Sequence, residues 1–242
     1  MTTIIYYTDN TLESLFEKRV QQELIKAAEG KRIISVSQKP MDFGDNICVG
    51  DIGRSHHSLF YQALTGAKSA DTKYIALAEH DCMYTSEHFN WFPLDDEYFY
   101  YNVNHWFVQW TGSNIDGMYS YHRRKCMSNL ICNRELFIKA VEEKIKMLET
   151  GFEIKKGQPG ACEPGVCDNR KAFIEAKRQW AAIKDVGKEK FSARSFRTVL
   201  PNLDIRHGGN FSGMRRAKKR CYSIPYWNDF KSVMEGKSCN SQ

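Results

Sequence analysis

The hydrophobic pattern opens with a short β-rich run, Ile4-Ile5-Tyr6-Tyr7-Thr8, stopped by Asp9-Asn10. From about Thr11 to Glu29 the period changes. Leu12, Leu15, Phe16, Val20 and Leu24 recur near helical spacing, and Gly30 supplies a stop. A second apolar run, Arg32 to Ser37, follows. Strand, helix and strand at this spacing predict a βαβ unit, hence a parallel sheet. Residues 40–53, with Pro40, Gly44, Gly50 and Gly53, read as a long loop, and Ser55 to Leu64 as a second helix. Tyr74-Ile75-Ala76-Leu77-Ala78 is apolar almost throughout, the pattern of a strand covered on both faces, which belongs at the centre of a sheet. Directly after it the polarity flips to Glu79-His80-Asp81.

Beyond this point the stretch Tyr98 to Tyr121 is rich in aromatics and reads as extended strands. Asn133 to Glu149 is a helix with an Asn cap, residues 157–168 a Gly/Pro-rich loop, and Asn169 to Ile183 a further helix. Short strands are expected at Arg197–Leu200 and Leu203–Arg206. No repeat or low-complexity linker divides the chain, so a single domain is expected.

Composition narrows the class. The 242 residues are 42% hydrophobic and 26% charged, which suits one large α/β domain. No apolar run approaches the roughly 20 residues that span a bilayer, and the N-terminus lacks a signal-peptide layout, so a cytoplasmic protein is expected. The eight cysteines include no C-x-x-C, which argues against structural zinc and favours reduced thiols. The net charge of +6 is uneven: residues 170–220 hold fifteen Lys/Arg against four Asp/Glu. That surplus points to an anionic partner or to a solvated basic face.

Glu79 and Asp81 leave the end of a central strand, where open α/β sheets bind ligands. Strand alternation would bring these two carboxylates together and turn His80 away. Hard oxygen ligands at this spacing suit Mg²⁺ or Mn²⁺ beside a diphosphate. Late in the chain, Asp204-Ile205-Arg206-His207-Gly208-Gly209-Asn210 joins an apolar alternation to a glycine turn whose backbone can approach a phosphate closely. His56 and His57 are adjacent on a helix, diverge by roughly 100° and do not suit one zinc ion.

In its order of short motifs the chain resembles the GT-A glycosyltransferases, over about residues 3–110 and again 203–213. The resemblance implies a Rossmann-like, mostly parallel central sheet flanked by helices, with a mixed subsheet on the acceptor side. It divides the domain into a nucleotide-sugar half (about 1–82), an acceptor half (about 83–213) and a basic aromatic tail (214–242). It implies that Asp81 and His207 bind a Mn²⁺ or Mg²⁺ ion, and that Thr8, Asp9, Asn10, Arg54, Glu79, His80 and Asn210 meet the donor, a UDP-sugar by preference. The family's D-x-D signature begins here with Glu79 instead of Asp. Asn104, His105 and Trp106 fall where acceptors bind, with aromatic core as the competing reading. For an inverting reaction the base would be Glu163 or Asp168, the latter also a natural helix N-cap.

The tail carries Arg215-Arg216-Ala217-Lys218-Lys219-Arg220, then Tyr222, Tyr226 and Trp227, a composition able to hold phosphates and stack bases. It is similar to small bacteriophage enzymes that glycosylate hydroxymethylated pyrimidines in DNA, which would work in the host cytoplasm. A polysaccharide or lipid-linked acceptor, a nucleotidyltransferase and a non-catalytic basic nucleic-acid-binding module are the alternatives.

Overall fold

A computed structural model describes residues 1–109, 119–122, 124–151, 163–166, 191–207 and 223–227, and for 119–122 the backbone only. The chain opens β1 (Thr2–Thr8), α1 (Ser14–Ala28), β2 (Ile33–Ser37), with β1 and β2 parallel and Ile5 opposite Ile34. The helix begins three residues later than the pattern suggests, and Leu15 is 73% exposed instead of buried. The 40–53 stretch is not all loop. It contains β3 (Asp45–Cys48), which pairs with β2 as the sheet's edge. Hydropathy hides this strand because polar contacts tie it down: Asn46 Nδ2 donates to Ser35 Oγ and Ser37 Oγ, each at 2.9 Å.

Next come α2 (His56–Ser69), β4 (Tyr74–Glu79), β5 (Cys82–Met83), α3 (Ser86–Asn90), β6 (Tyr98–Asn102) and β7 (His105–Gln109). Ser55 caps α2 by accepting from Ser58 N at 3.0 Å. The helix runs past Leu64 through Gly66, where a Cβ would lie 2.3 Å from Ile5 Cγ2. Glycine therefore lets α2 sit directly on β1. The remaining described elements are β8 (Tyr119–His122), β9 (Leu130–Asn133), α4 (Arg134–Glu149), β10 (Ser192–Phe196) and β11 (Asn202–Arg206). Asn133 caps α4 as expected, accepting from Leu136 N at 3.1 Å. In place of the strand expected at Arg197–Leu200, the chain forms β10 earlier, parallel to β6. The helix expected at 169–183 lies outside the described residues.

Seven strands form the main sheet in the order β10-β6-β9-β4-β1-β2-β3, with β9 antiparallel to its neighbours and all other pairings parallel. Beside it lies a mixed four-stranded sheet, β5-β11-β7-β8. This is the α/β layout the hydrophobic pattern predicts, with the apolar run Tyr74–Ala78 at its centre. Strand alternation divides the core. Ile5, Tyr7, Ile75 and Leu77 face α2 and α4, whereas Ile4, Tyr6, Ala76 and Ala78 face the side of Leu24, Ala27 and Phe89. A third cluster, with Phe16, Val20, Met83, Val108 and Leu203, joins the first turns of α1 to the smaller sheet. Among the described residues no helix is long and apolar enough to cross a membrane.

Candidate functional site

The C-terminal ends of β1 and β4 lie side by side, since Tyr7 pairs with Glu79. Tyr7 Oη donates to Glu79 Oε1 at 2.6 Å, so the glutamate is braced from the neighbouring strand. Burial, reinforced by Asp81, raises the Glu79 carboxyl above the usual range, and the Tyr7 bond only partly offsets this.

Strand geometry ends at Glu79, and His80 and Asp81 occupy a turn. His80 consequently does not point away from the carboxylates. Its Nδ1 lies 2.7 Å from Thr8 Oγ1 and 3.6 Å from Asp9 Oδ1. Potential ligand atoms of His80, Asp81 and His207 all fall within 4.8 Å of one another.

His207 reaches this point because β11 runs antiparallel to β5, with Asp204 opposite Cys82, and because Ile205 N donates to Asp81 O at 2.8 Å. His207 Nε2 lies 3.8 Å from Asp81 Oδ2. Burial lowers the His207 pKa against the pull of Asp81, which favours the neutral imidazole a metal needs. Two imidazoles and one carboxylate fit a divalent transition ion such as Mn²⁺ better than Mg²⁺, which prefers oxygen.

Asp9 links the site to the loop before α2. Its Oδ1 accepts from Thr11 N at 3.1 Å and Thr11 Oγ1 at 2.6 Å, and its Oδ2 pairs with Arg54 Nε. Burial opposes ionisation of Asp9, but His80, Thr11 and Arg54 outweigh it and hold the carboxyl below its usual range. Asn10 adopts φ 55°, and its Oδ1 accepts from Gln38 N at 2.8 Å and Lys39 N at 2.9 Å. Its carbonyl oxygen thus ties the end of β1 to the end of β2. Gln62 donates to Thr8 O at 2.7 Å from beneath.

Glu17 was invisible to motif reasoning. On the first turn of α1, its carboxylate interacts with His80 and Asp9, and burial raises its pKa. The neighbouring Phe16 packs edge-on against His207, ring centroids 5.9 Å apart. The only sequence signal is a carboxylate beside the apolar stripe of a helix that follows β1.

Arg206, already part of the late motif, makes its contacts within the protein. It pairs with Asp204 at 2.8 Å and lies over the Phe107 ring, 4.5 Å from its centroid. Burial disfavours its charge, and Asp204 with Asp81 more than restore it.

On the acceptor side three expected residues pack against the protein itself. Asn104 is buried, and its Nδ2 donates to Thr198 O at 2.9 Å and Val199 O at 3.1 Å, so it holds a loop. His105 is fully buried, with Nε2 3.7 Å from Cys126 Sγ. Trp106 is half-buried against the third core cluster. Packing, which residue type alone does not reveal, accounts for all three.

Glu163 is half-buried on a turn fixed by Tyr101 Oη, which donates to Pro164 O at 2.7 Å. Burial pushes the Cys126 thiol up, and the nearby charges of Asp204, Glu163 and Glu79 add to that. Asp168, Asn210, the glycine pair after His207 and the basic run 214–220 lie outside the described residues.

His57 Nε2 approaches Glu149 at 3.8 Å, and Lys144 acts on His56. Both histidines thus belong to the α2–α4 contact and not to the acidic signature. Trp227, expected among base-stacking aromatics, is buried in the third cluster and donates from Nε1 to Pro201 O at 2.7 Å.

No model of a known protein family matches the chain, and no curated protein matches it. Solved structures do. A glycosyltransferase involved in glycosylation of the major capsid of PBCV-1 is 9% identical, with a TM-score of 0.38 over 80% of this chain and 81% of that one. The galactosyltransferase LgtC, solved with donor and acceptor sugar analogues, is 11% identical with a TM-score of 0.40, over 63% of this chain and 66% of that one. The bifunctional IspDF of Campylobacter jejuni is 9% identical with a TM-score of 0.40, over 89% of this chain and 52% of that one. The chain thus spans about half the length of IspDF and just under two thirds of LgtC. At such identities the site, and not the likeness, has to carry the functional conclusion.

Proposed function

We propose that the chain is a metal-dependent glycosyltransferase that moves a sugar from a nucleoside-diphosphate sugar, a UDP-sugar by preference, to an acceptor hydroxyl. The observation that carries this reading is the convergence of His80, Asp81 and His207 at the end of the central strand, beside Thr8 and Asp9. That place is where an open α/β sheet receives a nucleotide.

In this reading His80, Asp81 and His207 hold the ion, which when bound neutralises charge on the diphosphate leaving group. Thr8 Oγ1 and Asp9 engage His80 Nδ1 and so leave its Nε2 for the ion, the arrangement usual around ligating imidazoles. Arg54, tied to Asp9, adds a cation at the loop before α2, whose N-terminus also favours anions. Asn10 shapes the β1 end where the nucleobase would lie, and Glu79, hydrogen-bonded by Tyr7, supports Asp81. Asn210 binds the donor by its place in the late sequence motif.

Glu163 takes the acceptor proton if the reaction inverts, with Asp168 as second choice. The DNA acceptor rests on the basic run at 215–220 and on the exposed Tyr226, because burial removes Trp227 from base stacking. A polysaccharide or lipid-linked acceptor is the alternative.

The test is the leaving group. Incubation of the full chain with nucleotide sugars and Mn²⁺ should release a nucleoside diphosphate. Release of pyrophosphate from a nucleoside triphosphate and a sugar phosphate would establish nucleotidyl transfer and overturn the reading.

A further inference from the structure

Asp81 turns its two oxygens to two different sets of groups. Oδ2 faces His207 Nε2 at 3.8 Å, while Oδ1 accepts from Cys82 Sγ at 3.6 Å. Two triads result. His80, Asp81 and His207 make one, and Glu79, Asp81 and Cys82 make the other, each with its ligand atoms within 4.8 Å. The proposed function uses only the first.

The second triad differs in chemistry. It offers a thiol and two carboxylates where the first offers two imidazoles and one carboxylate. Thiolate donors select the zinc class over Mg²⁺ and Ca²⁺. Cys82 and Asp81 are only 1% and 5% exposed, so bulk water competes poorly for an ion held there. Tyr7 Oη at 2.6 Å fixes one oxygen of Glu79, the kind of outer support that orients metal ligands.

Burial of a thiol alone does not make such a site. Cys132 is equally buried, but it sits in the first apolar cluster, and no carboxylate acts on it.

We propose that Glu79, Asp81 and Cys82 form a second, inner cation site that takes a thiophilic divalent ion of the zinc class, with Asp81 as the carboxylate shared with the outer site. Only the sharing rests on the proposed function; the inner triad stands on its own geometry. Ligand exchange there is simple: the ion displaces the protons of the ligands, and no redox partner is needed.

The probe is Cd²⁺, titrated into the chelator-stripped full chain and followed by thiolate-to-cadmium charge-transfer absorption, with native mass spectrometry counting the ions. Cys82→Ser should remove one thiolate-bound ion, and Glu79→Gln should weaken it by about tenfold or more. Cys132→Ser and His207→Ala should keep it. An unchanged band in Cys82→Ser overturns the proposal, as does unchanged cadmium affinity in Glu79→Gln, the variant that decides if Cys82→Ser fails to fold. Failure of the donor-site reading looks different: no Mn²⁺-dependent nucleotide binding, with the Cys82-dependent cadmium band intact.

Discussion

His207 Nε2 lies 3.8 Å from Asp81 Oδ2, although the two residues are 126 positions apart in the chain. The backbone makes this contact before any ion does. β11 pairs with β5, and Ile205 N bonds Asp81 O at 2.8 Å, so the smaller sheet carries His207 to the end of the central strand. The triad of His80, Asp81 and His207 is therefore a joint between the two sheets, and its geometry depends on how they meet.

Thr8 and Asp9 should act through His80. Thr8→Val removes the hydroxyl that lies 2.7 Å from His80 Nδ1 and also accepts from Asn10 N at 3.0 Å. Loss of such outer support costs about 10- to 100-fold in metal affinity. Isothermal titration with Mn²⁺ should show that loss in Thr8→Val and in Asp9→Asn. Affinity equal to wild type in both would remove them from the metal's support.

Glu163→Gln separates base from binding group. For an inverting enzyme kcat should fall about 10²- to 10⁴-fold with little change in donor KM. A retained kcat would point to Asp168 or to a retaining reaction.

Trp227 belongs to the fold. Its indole is buried and donates to Pro201 O at 2.7 Å. Trp227→Ala should cost about 3–5 kcal/mol in urea unfolding, as large-to-small aromatic changes in cores do. A stable Trp227→Ala protein with weakened DNA binding would restore the stacking role.

His88 sets an acid limit on stability. It is fully buried between aromatic rings, and desolvation, with His105 adding to it, lowers its pKa to about 3. An unfolded chain binds that proton near pH 6.5, so below this pH the unfolded state is favoured progressively until about pH 3. Above pH 6.5 the residue contributes no pH dependence. The slope approaches about 1.4 kcal/mol per pH unit for one proton. His88→Phe should flatten the wild-type slope between pH 6.5 and 4 by that one proton, and an unchanged slope would assign it to other groups.

Much of this was legible in the sequence. The apolar run Tyr74–Ala78 announced a central strand, and the polar flip at Glu79 announced a site at its end. What the pattern concealed has physical causes. β3 hides because it is short and offers the core one partly buried residue, Ile47, while Asn46 bonds two serines. Alternation gives the wrong direction for His80 because the strand ends at Glu79. Asn104 and His105 look like surface ligands by type, yet tertiary packing consumes them. Glu17 carries no motif, and only the docking of α1 brings it to His80.

His80, Asp81 and His207 are proposed to hold a divalent ion that binds a nucleoside diphosphate. Isothermal titration of UDP and GDP into the full chain, with and without Mn²⁺, tests it most directly when repeated on Asp81→Asn. The wild type should bind at least one of the two only when Mn²⁺ is present, and Asp81→Asn should lose that binding while keeping the wild-type circular dichroism spectrum. Nucleotide binding that is independent of Mn²⁺, or equal in Asp81→Asn, would contradict it.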